Sequence, residues 1–212
     1  MVKVYAMNIK NLPDPLENQE ILCGLGKQRI EKIHRYKQLK SRKQSLGAGL
    51  LLKHCLDSLG MDMDDIAYGE NGKPFLNNVC FNISHSDEMV IIAISEREIG
   101  CDIEKIGEHK QKIAKRYFTE SEIAYLQEFE EHKRAEEFYR LWTIKESYVK
   151  KTGEGMKIGL DSFEIRMEQP VSIYHKKVKS LCNIKEYDIP GYKCAVCADE
   201  NEFADAIEYY SS

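Results

Sequence analysis

Asp102 and Glu104 stand two residues apart in the run Gly100-Cys101-Asp102-Ile103-Glu104. The run reads as a β-strand, where side chains alternate, so both acids share one face while Cys101 and Ile103 take the other. Like charges held side by side repel, and a hard divalent cation such as Mg²⁺ relieves that with oxygen ligands. Spacing alone fits equally well a half-solvated strand with an acidic outer face. Further groups lie on a helix expected over about 135–151. There Phe138, Leu141, Ile144 and Tyr148 recur as an apolar stripe, and the neighbouring stripe presents Tyr139, Trp142, Glu146 and Lys150. Glu146 with Lys150 could be a surface ion pair worth about 0.2–0.5 kcal/mol, or a third metal carboxylate beside a cation for a phosphate. Trp142, the only tryptophan, is by default partly buried core.

Residues 27–43 carry eight basic side chains (Lys27, Arg29, Lys32, Arg35, Lys37, Lys40, Arg42, Lys43) against one acid, Glu31. The whole chain has a formal net charge of −4. One basic segment in an acidic protein suits an anionic ligand better than nucleic acid, which favours a basic domain. Most of these lysines taken singly fit a solvated helix face. His85 lies between Ser84 and Ser86. Adjacent side chains diverge, which argues against a nucleophile–base pair and leaves a phosphate hydrogen bond or a polar turn. Gly72-Lys73-Pro74 reads as a turn with an exposed lysine.

These groups need a frame. An opening strand over 2–7 leads through a Pro-bearing loop to two helices, about 17–40 and 41–59. Leu46, Leu50, Leu52, Leu56 and Leu59 keep the second in period, and Gly60 stops it. Strands over 79–83 and 89–95 flank a polar link, Ser84-His85-Ser86-Asp87. Thr119-Glu120-Ser121-Glu122 forms a capping box with Phe118 and Ile123 as its hydrophobic staple. The 135–151 helix ends at Gly153, and 161–198 alternates in short strands. Helices mixed with mostly antiparallel strands give an α+β class.

At 212 residues the chain can bury a real core, and 42% hydrophobic with 31% charged residues excludes disordered and fibrous classes. The longest apolar run, 89–94, is strand-sized, so no membrane association is expected. Residues 1–6 lack the core of a signal peptide, and seven scattered cysteines suit free thiols in a reducing cytoplasm. Cys194 and Cys197, three apart in a strand, face opposite sides and read as buried small residues.

Several of these pieces occur in a fixed order: Gly72-Lys73-Pro74, Phe81-Asn82-Ile83-Ser84-His85-Ser86, Gly100-Cys101-Asp102-Ile103-Glu104-Lys105, Phe118-Thr119 with Glu122, and the 138–150 run around Trp142-Thr143-Ile144-Lys145-Glu146-Ser147. With Gly153-x-Gly155 and Gly191-Tyr192-Lys193, the chain resembles the 4′-phosphopantetheinyl transferases of the surfactin-synthetase-activating type over most of its length. The resemblance implies two pseudo-symmetric α+β halves, 1–100 and 101–212, with coenzyme A in the cleft between them. It implies Mg²⁺-dependent transfer of the phosphopantetheine arm to a serine of an apo carrier protein, releasing adenosine 3′,5′-bisphosphate.

Carried onto this chain, Asp102, Glu104 and Glu146 hold Mg²⁺ (or Mn²⁺), and Lys145 and Lys150 face the phosphates. His85 bonds a phosphate oxygen, with Ser84, Lys73 and Pro74 near the nucleotide. Arg29, Lys32 and either Lys43 or Arg42 clamp the 3′-phosphate. Cys101 stands where Val or Ile is expected and faces the core. Glu146 is the candidate base and Lys150 the neutraliser of the leaving phosphate. Lys112, Lys115 and Arg116 suit an acidic carrier, and a monomer is expected. The same carboxylates and cations would also serve a Mg²⁺-dependent nucleotide pyrophosphohydrolase. A coenzyme A or carrier-protein binding module without catalysis is the other alternative.

Overall fold

The structure is a computed structural model that describes residues 1–69, 74–155 and 158–211. Strand β1 (Lys3–Asn8) leads through a 3-10 turn at Gln19–Leu22 to helices α1 (Lys27–Arg35) and α2 (Leu39–Ser58). The short strands β2 (Ala67–Tyr68) and β3 (Pro74–Phe75) follow, then the hairpin β4 (Cys80–Ser86) and β5 (Met89–Ser95), and β6 (Ile99–Lys105). Three helices come next: α3 (Gln111–Tyr117), α4 (Glu120–Gln127) and α5 (Glu131–Thr152). Strands β7 (Phe163–Arg166), β8 (Ser172–His175), β9 (Val178–Lys179), β10 (Asn183–Ile189), β11 (Tyr192–Ala198) and β12 (Glu208–Tyr209) complete the chain.

A repeated plan underlies this order. One sheet runs β12-β1-β5-β4 and another β10-β11-β6. In each, an opening strand (β1 or β6) precedes a long helix (α2 or α5), and an antiparallel hairpin returns so that its second strand pairs with the opening one. These are the two pseudo-symmetric halves of an α+β fold. Residue 100 lies inside β6, and β12 returns to the first sheet as a parallel neighbour of β1.

The layers are α2, first sheet, second sheet, α5, and strand alternation assigns each side chain to a layer. Tyr5, Met7, Val90 and Ile92 pack under α2 with Leu46, Leu51, Leu52 and Leu56. Their alternates Val4, Ala6, Ile91 and Ala93 pack between the sheets against Ile99, Cys101, Ile103, Cys194 and Val196. Burial on both faces explains why 89–94 is continuously apolar. Each fully buried leucine of α2 contributes about 1.5–3 kcal/mol. Cys194 faces the inter-sheet core and Cys197 the α5 core, on opposite sides of β11 as their spacing requires.

Two expected boundaries change. The helix anticipated over 17–40 begins only at Lys27, because Gly24 and Gly26 sit at φ 76 and 74 and break the chain into a 3-10 turn and α1. Ser84, His85 and Ser86 are part of β4 and not a link, and the turn itself is Asp87-Glu88. That shift decides the site, because alternation now puts Ser84 and Ser86 on one side of β4 and His85 on the other.

Candidate active site

Strands β4 and β6 belong to different sheets, yet their edges meet. Side chains close the seam. Asn82 Oδ1 accepts the Cys101 N–H at 3.0 Å, Ser84 Oγ the Ile103 N–H at 3.4 Å, and Ser86 Oγ the Lys105 N–H at 3.1 Å. Every second residue of β4 thereby satisfies every second amide of β6, amides that would otherwise be orphaned at a strand edge. The same hydroxyls then reach the acids. Ser84 Oγ donates to Asp102 Oδ1 at 2.8 Å, and Ser86 Oγ donates to Glu104 Oε2 at 2.8 Å.

Helix α5 brings the remaining groups to the acidic face of β6. It ends on Gly153 in the left-handed region, φ 70, and its 138–148 apolar stripe is buried against β11 and β7. Lys150 Nζ donates to Asp102 Oδ1 at 2.6 Å and to Ser84 Oγ at 2.9 Å. Burial alone would lower the Lys150 ammonium, but the Asp102 charge and hydrogen bond outweigh it and raise the net value. Glu146 is pushed up by burial and by the charge of Asp102. Glu104 is also pushed up by burial, against the opposing hydrogen bond from Ser86.

His85 faces the other wall. Burial lowers its imidazolium, and the charges of Lys150 of α5 and of Lys32 and Arg29 of α1 lower it further. Lys32 is itself lowered by burial and by the Arg29 and Arg35 charges. Basic groups from both halves thus act on one histidine, an arrangement suited to a polyphosphate. Beside Glu146 and Lys150 opens a cavity of about 620 Å³ whose walls include Pro74, Trp142, Val149, Ile158 and Leu160. That volume falls within the roughly 300–1,000 Å³ of small-molecule sites.

Asp102, Glu104, Glu146, Lys150 and Ser84 therefore cluster at the seam, with Pro74 on the wall of the adjoining cavity, and His85 lies within reach of the charges of Lys150, Lys32 and Arg29. Three expected residues lie elsewhere. Lys145, expected to face the phosphates, is fully buried behind α5 and bonded to Glu122 Oε1 at 2.9 Å, since consecutive helix residues point about 100° apart. Arg42 forms a bidentate pair with Asp14 and donates to the Tyr36 and Lys37 carbonyls, so it fastens the α1–α2 corner. Lys43 Nζ donates to the Lys10 carbonyl at 3.1 Å, at the end of β1. Lys73 lies outside the described residues. Asn82 and Ser86, quoted within a motif but given no role, are the residues that sequence reasoning missed. Their alternation with Ser84 was the available signal.

Oxygen-only donors suit a hard cation, and one further atom fits it: Asp102 Oδ2 is buried without a hydrogen-bond partner among the described residues. The carboxylates do not yet converge. Among the described residues no group of three or more His, Cys, Asp or Glu side chains is placed to hold a metal ion, and the Lys150 ammonium sits on Asp102 instead.

Comparisons with known proteins identify the family. Residues 98–197 match the family model described as the 4′-phosphopantetheinyl transferase superfamily. The chain is 36% identical to the 4′-phosphopantetheinyl transferase gsp of Aneurinibacillus migulanus, over 93% of this chain and 86% of that one. It is 34% identical to the 4′-phosphopantetheinyl transferase Sfp of Bacillus subtilis, over 99% of this chain and 98% of that one. A solved holo-(acyl-carrier-protein) synthase from Bacillus anthracis, in complex with CoA (3′,5′-ADP), aligns with 48% of this chain and 93% of that one, at 18% identity and a TM-score of 0.42. The fold is α+β in two halves, and the relatives that match nearly its whole length are transferases. The chain belongs to the 4′-phosphopantetheinyl transferases, of the Sfp type.

Proposed function

We propose that this enzyme moves the phosphopantetheine arm of coenzyme A onto a serine hydroxyl of an apo carrier protein and releases adenosine 3′,5′-bisphosphate. What supports this reading is the nearness of two sets of groups, the Asp102, Glu104 and Glu146 carboxylates around Lys150 in the second half, and His85 in the first, which feels the charges of Lys150, Lys32 and Arg29. A diphosphate needs both sides: cations for its oxygens and carboxylates for its metal.

Asp102, through the Oδ2 that has no partner among the described residues, and Glu104 and Glu146 would hold Mg²⁺ or Mn²⁺. The bound ion supplies charge neutralisation at the pyrophosphate. Lys150, poised on Asp102 and Ser84, offers its ammonium to the leaving phosphate, and His85 donates a hydrogen bond to a phosphate oxygen. Arg29 and Lys32 neutralise the 3′-phosphate. Glu146 takes the proton of the attacking serine hydroxyl. The serine oxygen forms a bond to the β-phosphorus as the bond to the bridging oxygen breaks, and the nucleotide leaves with that oxygen.

The apolar cavity holds the arm beside Glu146. Helix α3 carries Lys112, Lys115 and Arg116, and Arg116 and Tyr117 reach the cavity rim, which suits a carrier with an acidic helix next to its serine. The halves divide near residue 100, and the enzyme works as a cytoplasmic monomer.

Intact-mass analysis of an apo carrier protein incubated with the enzyme, coenzyme A and Mg²⁺ tests this. A gain of one phosphopantetheine arm, absent with Asp102→Ala, is expected. Coenzyme A consumed with no change in carrier mass would point instead to hydrolysis.

A further inference from the structure

Lys145 neighbours the proposed base in sequence, yet it is fully buried, and the three protons of its ammonium have three acceptors. Nζ donates to Glu122 Oε1 at 2.9 Å, to the Leu160 carbonyl at 2.7 Å and to the Phe163 carbonyl at 2.8 Å. It also lies 4.4 Å from the centroid of the Phe163 ring. Burial lowers the ammonium and the Glu122 charge opposes that. Glu122 is equally committed. Its Oε1 accepts the Ile165 N–H at 2.7 Å and its Oε2 the Thr119 N–H at 2.8 Å. One ion pair thus ties the start of α4, the middle of α5 and the 160–165 segment together.

That segment matters to the cleft. Residues 158–160 line the same cavity as Val149 and Glu146 of α5. Ile158 and Gly159 lie outside any helix or strand and Leu160 opens a 3-10 turn, so among the described residues no sheet ladder fixes the distance of this segment from α5. The Lys145 bond to the Leu160 carbonyl does. Buried ion pairs often add little stability over apolar residues of equal volume, and their better-attested use is to fix one arrangement.

We propose that Lys145 is a positioning residue, which through Glu122 and the Leu160 and Phe163 carbonyls sets the wall against which the phosphopantetheine arm lies. It is not a phosphate ligand. The proposal rests on the reading of the cavity as the arm's site. Two probes separate arm from nucleotide: coenzyme A, and adenosine 3′,5′-bisphosphate, which carries phosphates but no arm. In Lys145→Met, calorimetry is expected to give unchanged affinity for the bisphosphate, while the affinity for coenzyme A falls about tenfold. KM for coenzyme A should rise with it, and Lys145→Arg should recover part of the loss.

A matching loss for both probes would make Lys145 a phosphate ligand and overturn the proposal. So would a preference for coenzyme A that survives intact in Lys145→Met. Equal affinity of the wild-type enzyme for the two probes would overturn the arm reading itself, and the proposal with it. Should Lys145→Met fail to fold, the double variant Glu122→Gln/Lys145→Met, which strands no buried charge, carries the same comparison with the same outcomes.

Discussion

A Cβ on Gly100 would lie 2.1 Å from the carbonyl oxygen of Ser147 and 2.3 Å from the amide nitrogen of Lys151. Both are helix backbone atoms, which cannot turn aside as a side chain could. The glycine ahead of Asp102 is therefore the point where β6 touches α5, and it sets the separation between Asp102 and the Glu146–Lys150 face. Gly100→Ala is expected to destabilise the fold by about 1–3 kcal/mol through overpacking. Transfer should fall by a larger factor than the unfolded fraction explains, measured as turnover against a denaturant melt.

Removing Lys150 strands Asp102, whose Oδ1 would keep Ser84 as its partner. Lys150→Met should cost about 1–3 kcal/mol, the range for losing a charged hydrogen bond. Added Mg²⁺ should raise the melting temperature of Lys150→Met more than that of the wild type, because no ammonium then competes for the carboxylate. An equal shift in both would separate Lys150 from the metal ligands.

Glu146→Gln should move activity and stability in opposite directions. In the metal-free fold the ionised carboxylate is disfavoured by burial and by Asp102, so its carboxyl lies above the ordinary range. A carboxyl raised in the folded state costs stability once it ionises. The neutral amide removes that cost, and the metal-free melting temperature should rise by about 1–3 °C near neutral pH. The gain should vanish as the pH falls below the ordinary carboxyl range, where the wild-type group is protonated too. Turnover should fall at saturating Mg²⁺, and near-normal turnover would exclude Glu146 as the base.

Asp87 joins the two halves on the far side of the seam. Its carboxylate pairs with Lys40 of α2 at 2.6 Å and with Lys105 of β6, which hold it down to about 2 from the ordinary 3.8. A lowered carboxyl stabilises the fold above its unfolded value and loses that effect as the pH falls through its folded value. Asp87→Asn, which still tolerates the φ of 51 at this turn, should cost up to about 1 kcal/mol at neutral pH. The difference from the wild type should close between pH 3.8 and about 2. It should also shrink at high salt.

Local patterns in the sequence carried much of this. The capping box at Thr119 and Glu122 forms as read, with both reciprocal bonds present. The apolar stripe of α5 and the opposite facing of Cys194 and Cys197 follow from period alone. Three features were not local. Helix α1 starts late because two glycines adopt positive φ, and the identity of a glycine does not reveal its sign. The resemblance implies a phosphate-facing Lys145, but its acceptors include two backbone carbonyls, which no side-chain pattern announces. The roles of Asn82 and Ser86 depend on β6 lying alongside β4, a neighbour with which it shares no sheet.

That seam gives one strand two kinds of amide. The N–H groups of Cys101, Ile103 and Lys105 end on side chains of β4, so those of Gly100, Asp102 and Glu104 point the other way, into the ladder with β11. Side-chain acceptors can be released by rotation about a single bond, whereas the ladder yields only when the sheet itself comes apart. Solvent deuterium should therefore reach alternate positions of β6 at separate rates. The odd-numbered amides time the parting of the two halves, and the even-numbered ones time unfolding.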